Sequence, residues 1–190
     1  MGKRMIVFVL VLALASSASA LLVDGYQESN ERMQIFELGG LEITSTGHAV
    51  FNTRVDHDEC DVIIHAGGIL TTNDTYKLGE EGFATVYVNG TWNAHDIENY
   101  GQEHEAMIYM NVNGVINLQT GYRDGGPFGR YDPLHWANEG SLVLDPSLDP
   151  SAWFILIEDM GGGACMIYVP EPTTIVVLAL GSLAFLRRRK

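Results

Sequence analysis

An internal repeat of about 22 residues constrains the fold of this chain more than any other feature. Four apolar segments recur at offsets of 21, 22 and 22 residues, and each is followed by a glycine and a second apolar patch. A fixed period of this length is typical of proteins built from stacked, similar units. The segments begin at Leu41, Val62, Ala84 and Ala106, and their glycines are Gly47, Gly68, Gly90 and Gly114.

Inside each segment the residues alternate in size and polarity, which predicts β-strands with one inward and one outward face. The spacing aligns one inward column and one outward column. The predicted inward column is Ile43, Ile64, Val86 and Ile108, and the predicted outward column is Thr44, His65, Tyr87 and Tyr109.

This pattern resembles the right-handed parallel β-helix of pectin-lyase-like and adhesin-like surface proteins. The resemblance implies an all-β solenoid with coils of about 22 residues, extending over about residues 41–144. Each glycine is then expected at a corner of the coil, where the backbone needs a positive φ. An antiparallel β-sandwich is the alternative, because short strands separated by turns also suit that fold.

The last 21 residues form a tail with three parts. Pro170-Glu171-Pro172 cannot continue a helix, because proline lacks an N–H and restricts the residue before it. An apolar run, residues 173–186, follows, and the chain ends in the basic cluster Arg187, Arg188, Arg189 and Lys190. This tail resembles the PEP-CTERM sorting signal of bacterial surface proteins. The resemblance implies processing by exosortase, a membrane-embedded transpeptidase-like enzyme, and delivery to the cell surface or extracellular matrix.

The apolar composition of residues 173–186 predicts a hydrophobic helix that anchors the chain in the membrane before processing. Its 14 residues give a length of about 21 Å, which is short of the ~20 residues that normally span a bilayer. Local thinning and snorkelling of the terminal arginines would make up the difference. The basic cluster is expected on the cytoplasmic side.

Residues 1–20 have the composition of a signal peptide. Lys3 and Arg4 form its charged region, residues 5–15 its apolar region, and Ala18-Ser19-Ala20 a small-residue cleavage site. We therefore expect a signal helix that is removed after Ala20, export of the chain, and a mature β-rich domain over residues 21–169.

The mature domain is strongly acidic. It contains five of the 11 Lys and Arg residues of the chain and 23 of the 24 Asp and Glu residues, for a net charge of −18. This charge argues against nucleic acid and anionic lipid as partners. It is compatible with a soluble surface, with divalent cations, or with a hydrated polysaccharide matrix.

Two sets of residues are candidates for cation binding, and two cysteines are candidates for a disulfide. Asp74 and Asp96 follow their coil glycines at equal distances, so we expect them to stack one strand spacing apart, where calcium would relieve the repulsion. The run Asp56-His57-Asp58-Glu59 is expected to be a solvated acidic turn. Cys60 and Cys165 are expected in an oxidising compartment, where they would be able to form a bridge.

The sequence contains no recognised catalytic signature, and we do not expect an enzyme. There is no Gly-x-Ser-x-Gly, His-Glu-x-x-His or phosphate-binding loop. A calcium-dependent polysaccharide lyase or hydrolase would need a basic proton abstractor, and Lys77 is the single lysine between residues 21 and 169.

The function expected from the sequence is that of a structural or adhesive component of the envelope or biofilm matrix. A carbohydrate-binding module is the alternative, because Tyr87 and Tyr109 offer aromatic surfaces to extracellular polysaccharide. Trp92 is expected in the core. No metal site and no cofactor are predicted, with calcium at Asp74 and Asp96 left as an open alternative.

Overall fold

The computed structural model describes residues 20–101, 105–119 and 131–170. These residues form fifteen strands, a 3-10 helix (Ile35–Leu38) and one α-helix, α1 (Pro133–Glu139). In chain order the strands are β1 (Leu21–Val23), β2 (Tyr26–Ser29), β3 (Met33–Gln34), β4 (Leu41–Ile43), β5 (His48–Phe51), β6 (Val55–His57), β7 (Asp61–Ile64), β8 (Ile69–Leu78), β9 (Ala84–Val88), β10 (Thr91–Asn99), β11 (Ala106–Met110), β12 (Val115–Leu118), β13 (Leu142–Leu144), β14 (Leu156–Gly161) and β15 (Ala164–Tyr168).

The strands form two sheets whose neighbours are successive coils of the chain. The first sheet has the order β1-β4-β7-β9-β11-β13, and the second has the order β14-β15-β12-β10-β8-β5-β2. Every pair of strands from successive coils is parallel. Parallel neighbours need a crossover between them, which a winding coil supplies and a sandwich of hairpins does not. The predicted parallel β-helix is therefore confirmed, and the antiparallel sandwich is wrong.

The first four coils have three faces, because the second sheet contributes to each of them either two strands or the two halves of one long strand. The first half of β8 pairs with β5, and its second half pairs with β6. The first face is the first sheet. The second face is formed by β2, β5, β12 and the first halves of β8 and β10. The third face is formed by β3, β6 and the second halves of β8 and β10.

The core fills the space that these three faces enclose. Leu41, Val62, Val86 and Ile108 lie in register on the first face, and each has 0% of its surface exposed. Burying one such side chain stabilises the fold by roughly 1.5–3 kcal/mol. Trp92, expected in the core, is also fully buried.

The predicted register is wrong by two residues between the second and third segments. Val62 lies opposite Val86 rather than Ala84, and Ile63 rather than His65 lies opposite Tyr87. The loop between β8 and β9 is long enough to let β9 shift along its neighbour β7. Because side chains alternate with a period of two, an even shift leaves every inward residue inward. The assignment of inward and outward faces therefore survives.

The corner glycines are required by close backbone contact rather than by a positive φ. Gly47, Gly68, Gly90 and Gly114 are absent from the positive-φ residues of the described chain. A Cβ at Gly114 would lie 2.2 Å from the carbonyl oxygen of Val88, and one at Gly47 would lie 2.3 Å from that of Val23. The expectation of a left-handed conformation is thus wrong, and the glycine allows one coil to rest directly on the next.

The coils begin earlier than the repeat predicts. β1, β2 and β3 form a complete coil, and the backbone N–H of Leu21 donates to the carbonyl of Gly40 at 2.9 Å. At the other end, β14 and β15 form an antiparallel hairpin. β15 also runs antiparallel to β12, so the hairpin covers β12, the last parallel strand of the second face. The predicted signal helix (residues 1–20) and the hydrophobic helix (173–186) lie outside the described residues, apart from Ala20.

Candidate functional site

The end of the folded domain lies directly beside the start of the tail. Tyr168, the last residue of β15, is in register with Val115 of β12 and Leu156 of β14. The next residue, Val169, has 4% of its surface exposed and belongs to the hydrophobic core. Pro170 is also buried. The rest of the predicted sorting motif, the apolar run and the basic cluster lie outside the described residues.

The two tyrosines predicted to bind carbohydrate are brought together on the first face. Tyr87 and Tyr109 are in register on β9 and β11, and their rings stack with centroids 5.2 Å apart and an interplanar angle of 13°. Partial burial, together with the nearby charge of Asp61, raises the pKa of Tyr87. Each ring covers one face of the other, and the in-register residues on the outer sides of the pair are Ile63 of β7 and Val143 of β13.

A cleft of about 350 Å³ adjoins this tyrosine pair. It lies between the first face and the segment that follows α1, and its lining combines a ring, a thioether and two carboxylates. Glu139 accepts a hydrogen bond from Ser141 at 2.8 Å, so one carboxylate is already engaged within the domain. The cleft is lined by Gly101, Glu105, Met107, Tyr109, Glu139, Gly140 and Ser141.

Asp74 and Asp96 do not stack as predicted. A bulge in β8 sets Ala94 opposite Thr72 and Asp96 opposite Thr75, so Asp74 has no counterpart on β10. The exposed carboxylate of Asp74 accepts a hydrogen bond from the backbone of Thr75 at 2.7 Å. In the described parts of the chain, no three His, Cys, Asp or Glu side chains form a group that would hold a metal ion.

The predicted acidic turn is largely buried. Asp56, His57 and Asp58 have 4%, 0% and 7% of their surface exposed, and only Glu59 of this run is exposed. The expectation of a solvated turn is wrong because Asp56 is paired with arginines, His57 faces the core, and Asp58 accepts a hydrogen bond from the backbone of Glu81 at 3.0 Å.

Asp56 is held by two arginines from different coils. Its carboxylate oxygens accept bonds from Arg32 Nε at 2.6 Å and from Arg54 Nε at 2.5 Å. Arg54 also donates to Glu80 at 2.8 Å. Sharing one carboxylate between two guanidinium groups compensates its burial and ties the first two coils together.

The same network continues to the fourth coil. Lys77 donates to Glu80, and its Nζ lies 3.7 Å from Glu98 Oε2. Burial alone would raise the pKa of Glu80, but the hydrogen bond and charge of Lys77 and the charge of Arg54 outweigh it and lower that pKa. Lys77 is therefore engaged by carboxylates of two successive coils.

A buried polar array lies inside the third face. The Tyr76 hydroxyl is 2.9 Å from His57 Nδ1, and His57 Nε2 is 2.9 Å from the carbonyl of Cys60. The rings of Tyr76 and Trp92 meet at 71° with centroids 4.7 Å apart, and the indole N–H donates to Thr72 at 3.3 Å. Burial lowers the pKa of His57 to about 4. The array satisfies polar groups within the core, as buried polar groups require.

Cys60 and Cys165 are both free and buried, so the structure does not contain the disulfide that the sequence allows between them. Cys60 precedes β7, whose coil continues into β8, whereas Cys165 lies on β15, three strand positions from β8 in the second sheet. Three spacings amount to about 14 Å, beyond the roughly 7 Å between Cα atoms that a disulfide tolerates. Burial raises the pKa of Cys60 to about 12 and that of Cys165 to about 11.

The tail is the part of the chain that comparison with known families identifies. Residues 169–190 match the PEP-CTERM protein-sorting motif. The chain carries a PEP-CTERM sorting signal. This signal indicates export, transient membrane anchoring and processing by exosortase. The match begins at Val169, so the PEP-CTERM signal and the folded core share a residue.

Comparison with curated proteins and with solved structures gives no match. The PEP-CTERM signal is therefore an address attached to a β-helical domain whose activity it does not define. Among residues 20–101, 105–119 and 131–170, no helix is both long and apolar enough to cross a membrane. The predicted anchor at 173–186 lies outside these ranges.

Proposed function

We propose that this chain is a structural component of the bacterial cell surface or extracellular matrix, delivered there by its PEP-CTERM signal. The proposal includes removal of residues 1–20 after Ala20 and a final location outside the membrane, once exosortase has released the domain. It assigns no catalytic role to the coils. The observation that carries it is the way in which outward side chains of the coils pair with one another.

The pairing takes three forms, each running along the stack. Tyr87 and Tyr109 stack on the first face. The charged network of the third face links four successive coils. An amide ladder lies between the second and third faces, where Asn52 donates to Asn30 at 2.7 Å and Asn73 donates to Asn52 at 2.6 Å. Such contacts stiffen neighbouring coils against one another, which suits a load-bearing spacer.

The charge of the domain also supports a place in a hydrated matrix. With a net charge of −18 over residues 21–169, released copies repel one another and stay soluble. The edge strand β2 is only four residues long. Glu28 lies on β2, and Asp24 follows β1 directly. Short, charged edges discourage uncontrolled pairing of strands between copies.

A carbohydrate-binding role is the second candidate, and the cleft beside Tyr109 favours it. A ring edge, a thioether and carboxylates are groups that contact the hydroxyl and apolar surfaces of sugars. The stacked geometry of Tyr87 and Tyr109 weighs against an open platform, because each ring shields the other. A calcium-dependent lyase or hydrolase has weaker support, since Asp74 and Asp96 are out of register and Lys77 bonds to Glu80.

The test is matrix cohesion in a bacterium that produces the chain. Removal of the chain should increase detachment of the matrix under shear, and the wild-type chain should restore cohesion. The variant Tyr87→Ala with Tyr109→Ala should restore it as well, because the charged network and the amide ladder still join the coils when this one aromatic contact is lost.

Two results would separate the alternatives. If the wild-type chain restores cohesion and the double tyrosine variant does not, although both reach the matrix in equal amounts, carbohydrate binding replaces the structural proposal. If removal of the chain leaves cohesion unchanged, the structural role is wrong. Release of unsaturated sugars from a uronate polymer in the presence of calcium would identify the lyase instead.

A further inference from the structure

The sorting signal begins before the folded domain has ended. Tyr168 is paired on both sides, with Val115 and with Leu156. Val169, the first residue of the family match, lies in the core, and Pro170 is buried beside it. The chain therefore passes from a central strand of the C-terminal cap into the Pro-Glu-Pro motif without a linker.

An enzyme that cuts a peptide bond must hold the chain on both sides of that bond in an extended form. Residues that are packed in a core cannot occupy an enzyme cleft at the same time. Access to a bond before Pro170 would require Val169 to leave the core and the pairing of β15 to break. The open form is a minor species, because it exposes a residue that is 4% accessible when folded and separates a strand from two partners.

We propose that the folded C-terminal cap restricts exosortase to bonds on the carboxyl side of Pro170 and limits the rate of cutting. The packed pair Val169 and Pro170 acts as a positioning element for the reaction. The released domain keeps Pro170 at or near its C-terminus. This inference rests on processing of the tail and not on the structural role in the matrix.

A spacer at the junction tests the proposal in the full chain. A flexible Gly-Ser insert of about eight residues between Val169 and Pro170 adds about 15 Å of reach and leaves the core residue and the whole motif intact. The matched control carries the same insert after Gly162, in the turn between β14 and β15, where a Cβ would meet nothing within 4 Å. The control lengthens the chain without separating the motif from β15.

Both variants and the wild type are followed by pulse-chase in a host that carries exosortase, with mass spectrometry of the released C-terminus. The junction spacer should speed release by at least about threefold over both the wild type and the control, and the released wild type should retain Pro170. Equal rates for the two spacers would overturn the proposal. A wild-type product that ends at or before Val169 would overturn it as well. If no form is cut, processing itself is wrong, and the inference falls with it, whereas the matrix experiment would remain interpretable.

Discussion

The hydroxyl of Tyr76 lies 2.9 Å from Nδ1 of His57, inside the core of the solenoid. The other ring nitrogen of His57 faces the carbonyl of Cys60 at 2.9 Å. Since a carbonyl only accepts, Nε2 carries the proton and Nδ1 accepts from the tyrosine. Both nitrogens are thus satisfied in the neutral form. A proton added to Nδ1 would reverse that bond, leave the tyrosine hydroxyl hydrogen without this acceptor, and place a charge in the core.

This arrangement makes the stability of the domain depend on pH. The pKa of His57 falls from 6.5 to about 4 on folding, so the unfolded chain binds more protons between these values. The contribution of His57 to the free energy of unfolding should therefore be fully present above pH 6.5 and should be lost as the pH falls to about 4. The loss from this group approaches about 3 kcal/mol. Urea unfolding followed by circular dichroism at several pH values measures it.

His57→Gln is the control for that pH dependence. A glutamine side chain is able to donate to the Cys60 carbonyl and accept from Tyr76, yet it does not titrate. The variant should show a flatter profile than the wild type between pH 6.5 and 4.5. A slope as steep as that of the wild type would show that another group is responsible.

A second prediction concerns the inward and outward faces of β9. Val86 is fully buried, whereas its neighbour Tyr87 is half-buried on the outer face. Val86→Asp places an unpaired charge in the core and should cost at least about 4 kcal/mol, enough to unfold the domain. Tyr87→Asp removes one aromatic stack and should cost about 1 kcal/mol. Chemical denaturation compares the two, and equal costs would contradict the assignment of the faces.

A third prediction concerns the glycine corners. A Cβ at Gly90 would lie 2.4 Å from two carbonyl oxygens, those of Gly68 and His65. Gly90→Ala should therefore push adjacent coils apart and cost at least about 2 kcal/mol. At Gly82 the nearest atom to a Cβ belongs to the exposed side chain of Glu59, at 3.0 Å. Gly82→Ala should be tolerated within about 1 kcal/mol. Similar melting temperatures for both variants would argue against backbone contact as the reason for the corner glycines.

The fold was predictable because the period and the alternation of side chains are properties of local sequence. Inward residues such as Val62 and Val86 could be assigned from alternation alone, even though their mutual register was displaced by two residues. The register depends on loop length, which the apolar pattern does not report. The role of Gly90 was missed for a related reason, since close approach of two coils is a tertiary contact.

The charged network of the third face was the main omission among polar residues. Arg32, Arg54 and Lys77 follow one another at offsets of 22 and 23 residues, close to the coil period. Testing polar residues for that period would have placed them in one column. Asp74 and Asp96 do not pair, because one extra residue in β8 breaks the coil period locally. A single-residue bulge of this kind leaves no clear signal in one sequence.

We expect the acidic β-helical domain to be freed from a membrane anchor by cutting at its PEP-CTERM tail. The most direct measurement is mass spectrometry of the C-terminus of the surface-located protein, from a host carrying exosortase. We expect this material to lack Arg187, Arg188, Arg189 and Lys190. Changing Pro170-Glu171-Pro172 to Ala-Ala-Ala should leave the chain uncut and in the membrane fraction. Surface material that still carries the four basic residues would contradict the account and leave the tail as a permanent anchor.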